Sequence, residues 1–420
     1  MRHTESINLA CDRIAQRESE IHALVEDTLD FDRIHGDAAE LLRRHPDASR
    51  RPPLFGMLLG VKDIFNVDGY LTRCGSRLPA EELTGPEAPV VTRLKRAGMV
   101  IAAKTVTAEF AGSDPGPTRN PLNLEHTPGG SSSGSAAGVA AGFFDLALGS
   151  QTGGSVIRPA AYCGVVGYKP SFGRVGTEGM FTYSESMDHF GLLARDIELI
   201  EKAMMLLVDD WRGEAVCAEP RFVLPEGPYL DIAAESARRS FNEIVEYLRQ
   251  YGLQIGAHGV LEDIDQQNAN RDRLVNAEAY RVHAGWFERY RDLYGPLLRA
   301  ALEEGRDTPD DELDALRATA RHKQLDMQRC MRDLEIDYWL APAALDVAPQ
   351  GLDSTGDHRM NSIWTYTGLP VISLPSGNNH AGLPYGLQIV GRYNHDEELL
   401  ATARSLQRML PVRNDSAPAA

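Results

Sequence analysis

The sequence predicts an α/β protein, one large domain in which a central sheet carries helices on both faces. Three observations predict it. Short apolar runs alternate with helix-length amphipathic runs between about residues 54 and 170. The composition, 43% hydrophobic and 25% charged over 420 residues, is that of a globular chain with ample material for a core. Length alone suggests two or three domains, yet no linker-like stretch divides the chain, and α/β folds often stay whole at this size.

Residues 1–50 read as two or three charged helices, with Ile7, Ala10, Cys11 and Ile14 at helical spacing and Ile21, Leu24, Val25 and Leu29 following. Arg51-Pro52-Pro53 breaks that pattern, and 54–62 reads as a buried strand ending in Lys62-Asp63. Pro89 opens a helix that Gly98 can close, and 99–103 is a short strand. A loop rich in Pro, Gly, Asn and Asp spans 111–128. A helix over 135–144 and strands over 145–148 and 162–169 follow, the last closed by Pro170. The region 54–200 thus reads as the core of the protein. From about 230 to 340 the character changes to long charged helices, at 236–250, 271–293 and 310–332, read as a cover over part of the sheet. Strand-like sequence returns at 338–341, 371–374 and 385–390, with a last helix at 397–410 and a disordered Pro/Ala tail at 411–420.

The net charge of −17 argues against direct nucleic-acid binding, which needs a basic face. The five cysteines, Cys11, Cys74, Cys163, Cys217 and Cys330, are scattered and odd in number, so neither a disulfide framework nor a zinc site follows. No apolar leader and no run long enough to cross a membrane is visible, and a cytoplasmic setting is the default.

The chemistry concentrates in residues 129–160. Gly129-Gly130-Ser131-Ser132-Ser133-Gly134-Ser135 and Gly149-Ser150-Gln151-Thr152-Gly153-Gly154-Ser155 are separated by one helix and one short strand. Glycine lets a backbone approach a bound group closely, and consecutive N–H groups in such a turn can hold a developing oxyanion. Flexible linkers have polar flanks; these loops are flanked by apolar runs. A P-loop needs Gly-Lys-Ser/Thr, and a dinucleotide loop needs G-x-G-x-x-G; neither pattern occurs here.

Ser155 closes the second turn, where the amides of Thr152, Gly153, Gly154 and Ser155 can converge beside its hydroxyl. A serine needs a base before it attacks. His126 and His189 sit beside no acid in a triad-like pattern and read as ordinary loop histidines. Lys62 ends an apolar strand, where desolvation can lower a lysine by up to ~3–5 units into the range of a general base. Serine–lysine catalysis is an established variant. The residues alone leave Ser131, Ser132 and Ser133 equivalent.

Val61-Lys62-Asp63, the first glycine-serine run, Thr152-Gly153-Gly154-Ser155, Tyr168-Lys169-Pro170-Ser171 with Gly173, Trp364 with Gly368-Leu369-Pro370, and Gly382-Leu383-Pro384-Tyr385-Gly386-Leu387-Gln388 together resemble the amidase signature family. The similarity spans most of the chain and is weakest at 200–335; within the family the run 152–164 looks most like malonamidase-type enzymes. The resemblance implies one amidase signature domain over 1–410 on a mixed, twisted sheet. It also implies a Ser–cis-Ser–Lys triad: Ser155 as nucleophile, Ser131 on a cis peptide as bridge, Lys62 as base. It implies hydrolysis of a small amide to acid and ammonia or amine through a Ser155 acyl-enzyme, with no metal and no organic cofactor. Thr152, Gly153 and Gly154 would bind substrate through their amides.

Many members carry Asp at position 151 and Arg at 157, where this chain has Gln151 and Ile157, followed by Arg158. Arg158 is therefore a candidate for binding a substrate carboxylate, as in malonamate; the alternative is a structural pairing with a carboxylate or a backbone carbonyl. The partner expected is a small-molecule amide, with a homodimer allowed. Two other readings stand beside this one: a hydrolase of urea-derived carboxylates such as allophanate, and the glutamine-hydrolysing component of a tRNA-dependent amidotransferase.

Overall fold

A computed structural model describes residues 2–213 and 219–411. The expected tail is outside the described residues from position 412 onward, as is Cys217.

Two helices, α1 (Arg2–Ile21) and α2 (Phe31–Arg44), precede β1 (Leu58–Lys62), α3 (Pro89–Arg96) and β2 (Val100–Thr105). The glycine-serine region forms α4 (Ser133–Ala141), β3 (Leu146–Gln151), α5 (Ile157–Cys163) and β4 (Val166–Lys169). There follow β5 (His189–Ala194), α6 (Ile197–Leu207), β6 (Phe222–Glu226), α7 (Pro228–Asp231), α8 (Glu235–Gln250) and β7 (Ile255–Gly259). Three helices come next: α9 (Ile264–Tyr290), α10 (Pro296–Arg306) and α11 (Asp310–Asp333). The chain closes with β8 (Tyr338–Pro342), α12 (Arg359–Tyr366), β9 (Val371–Asn378), β10 (Pro384–Gly391) and α13 (Asp396–Met409).

The described strands make one sheet of ten, in the order β2-β1-β3-β5-β4-β9-β10-β8-β6-β7. It is mixed: β1 runs parallel to β2 and β3, the central pairs from β3 to β8 are antiparallel, and β6 is parallel to β7 and β8. Every residue of β1, β2 and β3 is buried, as expected of strands covered on both faces. On one side α1, α2 and α4 pack Ile7, Ile14, Ile34, Ala136 and Val139 with Phe144; a larger core fills the rest. The chain is thus an α/β protein on one large mixed sheet, and no described helix is long and apolar enough to cross a membrane.

Several expected boundaries move. Residues 54–57 are a turn, so the first strand begins at Leu58. Tyr162 and Cys163 end α5 instead of opening a strand; Gly164 takes the left-handed conformation (φ 67°) that stops the helix. The helix expected from 271 begins at Ile264, and the helix-rich stretch also contributes an edge strand, β7. Strands β5, β6 and β7 and helices α6, α10 and α12 have no counterpart in the sequence reading.

Candidate active site

Lys62 is the last residue of β1, a strand whose neighbours β2 and β3 flank it on both sides. Its ammonium end is therefore inside the sheet, 0% exposed. Nζ donates to Ser131 Oγ and to Ser150 Oγ, each at 2.8 Å. Burial pushes the amine down to about 7, with Asp188 and Cys74 opposing the shift. No carboxylate is paired with it, so near neutral pH a substantial fraction is the free base.

Ser131 is buried in the loop before α4, and the Gly130–Ser131 peptide is cis. Ser132 and Ser133 face elsewhere: Ser132 Oγ donates to the Ser150 carbonyl, and Ser133 Oγ to the Val106 carbonyl. The three serines the residues could not separate are thus distinct, and only Ser131 touches Lys62. The Ser132 amide donates to the Ser155 carbonyl at 3.3 Å, which brings the two glycine-serine loops together.

Ser155 lies between β3 and α5, 8% exposed, on the wall of a cavity of about 740 Å³. That volume suits a small ligand. Thr152, Gly153, Gly154 and Arg158 line the same cavity, with Tyr183, Arg271 and His358. Gln151 tethers the start of α5: its Oε1 accepts from the amides of Val156 and Ile157, and its Nε2 donates to Thr365 Oγ1. A neutral amide therefore occupies the position where a charge pair was the commoner pattern. Among the described residues, the N–H groups of Gly153, Gly154 and Ser155 donate to no acceptor in the chain, as an oxyanion site requires.

Arg158 is 3% exposed and forms no ion pair among the described residues. Its Nη2 donates to the Gly130 carbonyl (2.6 Å) and to Thr355 Oγ1 (3.1 Å), so the backbone half of the structural alternative is present. Its Nε and Nη1 are buried without a partner. A guanidinium with two unsatisfied N–H groups on a cavity wall is costly unless something polar binds there.

Three contributors went unseen in the sequence. Ser150, inside the second glycine-serine run, is the other neighbour of Lys62. Asp188 accepts from Thr152 Oγ1 at 2.6 Å and from the amides of Tyr183 and Ser184; burial raises it to about 6. Arg271, on α9, donates to the Thr152 carbonyl at 2.9 Å and to Asp272. Only Ser150 carried a signal, its place in the run; nothing near 188 or 271 marked either residue. His126 and His189 stay outside the cavity lining: each places Nδ1 on a backbone carbonyl, of Ala348 and Met187. The Tyr168–Ser171 run serves packing, with Tyr168 Oη and Ser171 Oγ both donating to buried Asp396.

Comparison with known proteins agrees with this architecture. The family model described as Amidase matches residues 5–242 and 233–400. The amidase-like component of the glutamyl-tRNA(Gln) amidotransferase of Psychrobacter cryohalolentis is 31% identical, over 94% of this chain and 90% of that protein. Its counterpart in Methanospirillum hungatei is 29% identical over 85% and 93%. A crystal structure of an amidase superposes with a TM-score of 0.88 at 29% identity, covering 96% of this chain and 95% of the other. The peptide amidase of Stenotrophomonas maltophilia, at 24% identity and a TM-score of 0.83 over 98% and 94%, shares the fold.

Proposed function

The chain belongs to the amidase family and is a hydrolase of amide C–N bonds, and on that premise we propose that it cleaves a small carboxamide bearing a carboxylate through an acyl-enzyme on Ser155. The observation that carries the carboxylate is Arg158, whose two buried N–H groups without a protein partner belong to a residue on the cavity wall shared with Ser155. A carboxylate is the acceptor a guanidinium fork matches best.

The chemistry runs as a two-hydroxyl relay. In the neutral amine the 2.8 Å contact between Lys62 and Ser131 carries the Ser131 proton toward the lone pair, while an N–H of Lys62 stays on Ser150. Ser131 in turn takes the proton of Ser155, whose oxygen attacks the amide carbon. The amides of residues 153–155 hold the oxygen that gains charge. The proton returns through Ser131 to the departing nitrogen, and water releases the acid by the same path.

A second reading is favoured by the curated relatives: glutamine hydrolysis as one component of an amidotransferase. Glutamine is itself a carboxamide with a carboxylate, so Arg158 has the same task in both. The discriminating observations are ammonia release from glutamine and recovery of a second polypeptide in fixed ratio from a pulldown.

The experiment for Arg158 compares malonamate-like acids with neutral amides of the same size. Arg158→Ala lowers kcat/KM for the acids by about 10²-fold, the worth of a buried charge-assisted pair, and leaves neutral amides within a few-fold. Equal loss of both classes sinks the carboxylate role.

A further inference from the structure

We propose that Arg271 is a positioning residue for the oxyanion site: by gripping the Thr152 carbonyl it fixes the direction in which the Gly153 amide points. This rests on the acyl-transfer reading above and concerns how its oxyanion site is held.

The argument starts from the peptide plane. In a trans peptide the C=O of one residue and the N–H of the next point in opposite directions. Whatever holds a carbonyl therefore aims the following amide the other way. Each of the three peptides leading to Ser155 has its carbonyl held. The Thr152 carbonyl accepts from Arg271 Nη2 at 2.9 Å. The Gly153 carbonyl accepts from Thr365 Oγ1 at 2.5 Å. The Gly154 carbonyl accepts from the Arg158 amide at 3.0 Å, in the first turn of α5. The amides left on the other sides belong to Gly153, Gly154 and Ser155, the three that have no acceptor among the described residues.

Arg271 is the charged member of this set, and it comes from α9, outside the glycine-serine region. Its position also explains the glycine at 153. A Cβ there would lie 2.7 Å from Arg271 Nη2 and 2.9 Å from His358 Cδ2, so no side chain fits beneath the guanidinium. Glycine, though, leaves the 152–153 peptide free to rotate. The residue that makes room for the guanidinium thus creates the need for it. The grip is itself braced, because Arg271 Nη1 donates to Asp272 at 2.6 Å and contacts His358 Nε2 at 3.1 Å. Thr152 is held on its other side by Asp188.

The test uses the whole protein and a fluorophosphonate probe. Ser155 oxygen forms the new P–O bond, fluoride leaves, and the hydroxyl proton passes into the relay; the phosphoryl oxygen occupies the oxyanion site. The labelling rate and the labelled residue are read by mass spectrometry, and the unfolding temperature is recorded alongside. Arg271→Ala is expected to label Ser155 roughly 10²-fold more slowly than wild type, the cost of one oxyanion donor, with ethylguanidine in the buffer recovering part of the rate. Labelling of Arg271→Ala at the wild-type rate overturns the inference while leaving the nucleophile standing. Should Arg271→Ala fail to fold, Arg271→Lys gives the same comparison, since a single ammonium cannot hold Thr152, Asp272 and His358 together: slower labelling supports the inference and wild-type labelling overturns it. If wild-type protein takes no label on Ser155, the acyl-transfer reading itself falls, and the inference with it.

Discussion

Two regions meet at the cavity, and they encode their contribution in opposite ways. The glycine-serine region from 129 to 163 works through its backbone: amides, carbonyls and hydroxyls one atom from the chain. Its requirements are close approach and unusual dihedrals, which glycine and serine meet and few other residues do. The helices α9 to α11 work through long side chains whose partners are remote in sequence. Arg271 reaches Thr152 across 119 positions, and Glu278 reaches Ser184 across 94. A backbone site leaves a local signature. A site assembled by side chains across a fold leaves almost none.

The comparison predicts where the largest losses fall. If bond-making lies wholly in the backbone-built region with Lys62, Ser155→Ala and Lys62→Ala each lower kcat by roughly 10⁶, as for members of a catalytic unit, in a continuous ammonia-release assay. The α9 variants cost far less. The base gives this a pH signature. Lys62 is depressed to about 7 by burial, so its free-base form is lost as pH falls, and kcat/KM drops about tenfold per unit below that value. The same shift bears on stability. An unfolded lysine titrates near its ordinary ~10.4, so between about 7 and there the unfolded chain binds the extra proton, and stability from this group rises with pH. Lys62→Met removes that rise. A wild-type rate profile flat from pH 8 down to 5 would break the account of Lys62 as the base.

The same contrast explains how much could be read from the sequence. The sheet, the helices on both faces and the stretch from Lys62 to Arg158 were legible because alternating apolar runs and glycine clusters are local patterns. The strand expected at 162–169 failed because Tyr162 and Cys163 are apolar enough for either element; Gly164 ends a helix there. Strands β6 and β7 were missed at the sheet's far edge, where β7 is mostly exposed and reads His-Gly at its end. In α9, buried Gln267, Asn268, Arg271, Glu278 and His283 interrupt the apolar stripe of Leu274, Val275 and Phe287. A helix whose buried face is half polar has no clean period, so its start was placed seven residues late. Those polar positions include the one that holds Thr152.

A steric version of the comparison gives an intermediate effect. Gly134 opens the turn of α4 nearest β2, and a Cβ there would lie 2.1 Å from the Ala23 carbonyl oxygen and 2.5 Å from the Val106 nitrogen. Both neighbours are backbone and cannot swing away. Gly134→Ala is expected to destabilise by about 1–3 kcal/mol or more, as overpacking does, read as a lower urea midpoint at unchanged slope. Because Ser131 and Ser133 share that loop, residual activity falls as well. An unchanged midpoint would mean the two segments are not pressed together as described.

The smallest effect is expected in the helical region, at Glu278. Its carboxylate is buried and accepts from Ser184 Oγ (2.6 Å), from the Ser186 amide (3.0 Å) and hydroxyl (2.7 Å), and from Arg317 Nε (2.8 Å). Burial alone would raise this group, but the donors outweigh it and hold it below the ordinary carboxylate range. The charged form therefore contributes stability above the unfolded value, near ~4.3, and that contribution fades as pH falls through the lower folded value. Glu278→Gln keeps the shape, removes the charge and leaves one donor facing another. The expected cost is about 1–2 kcal/mol at neutral pH, shrinking toward zero near pH 3, in paired thermal or urea titrations. Ser184 and Ser186 precede Asp188, which holds Thr152, so a small fall in kcat with KM unchanged accompanies it. A pH-independent difference between the two proteins would show that Glu278 acts by shape and not by charge, and would detach α9 from the loop that steadies Thr152.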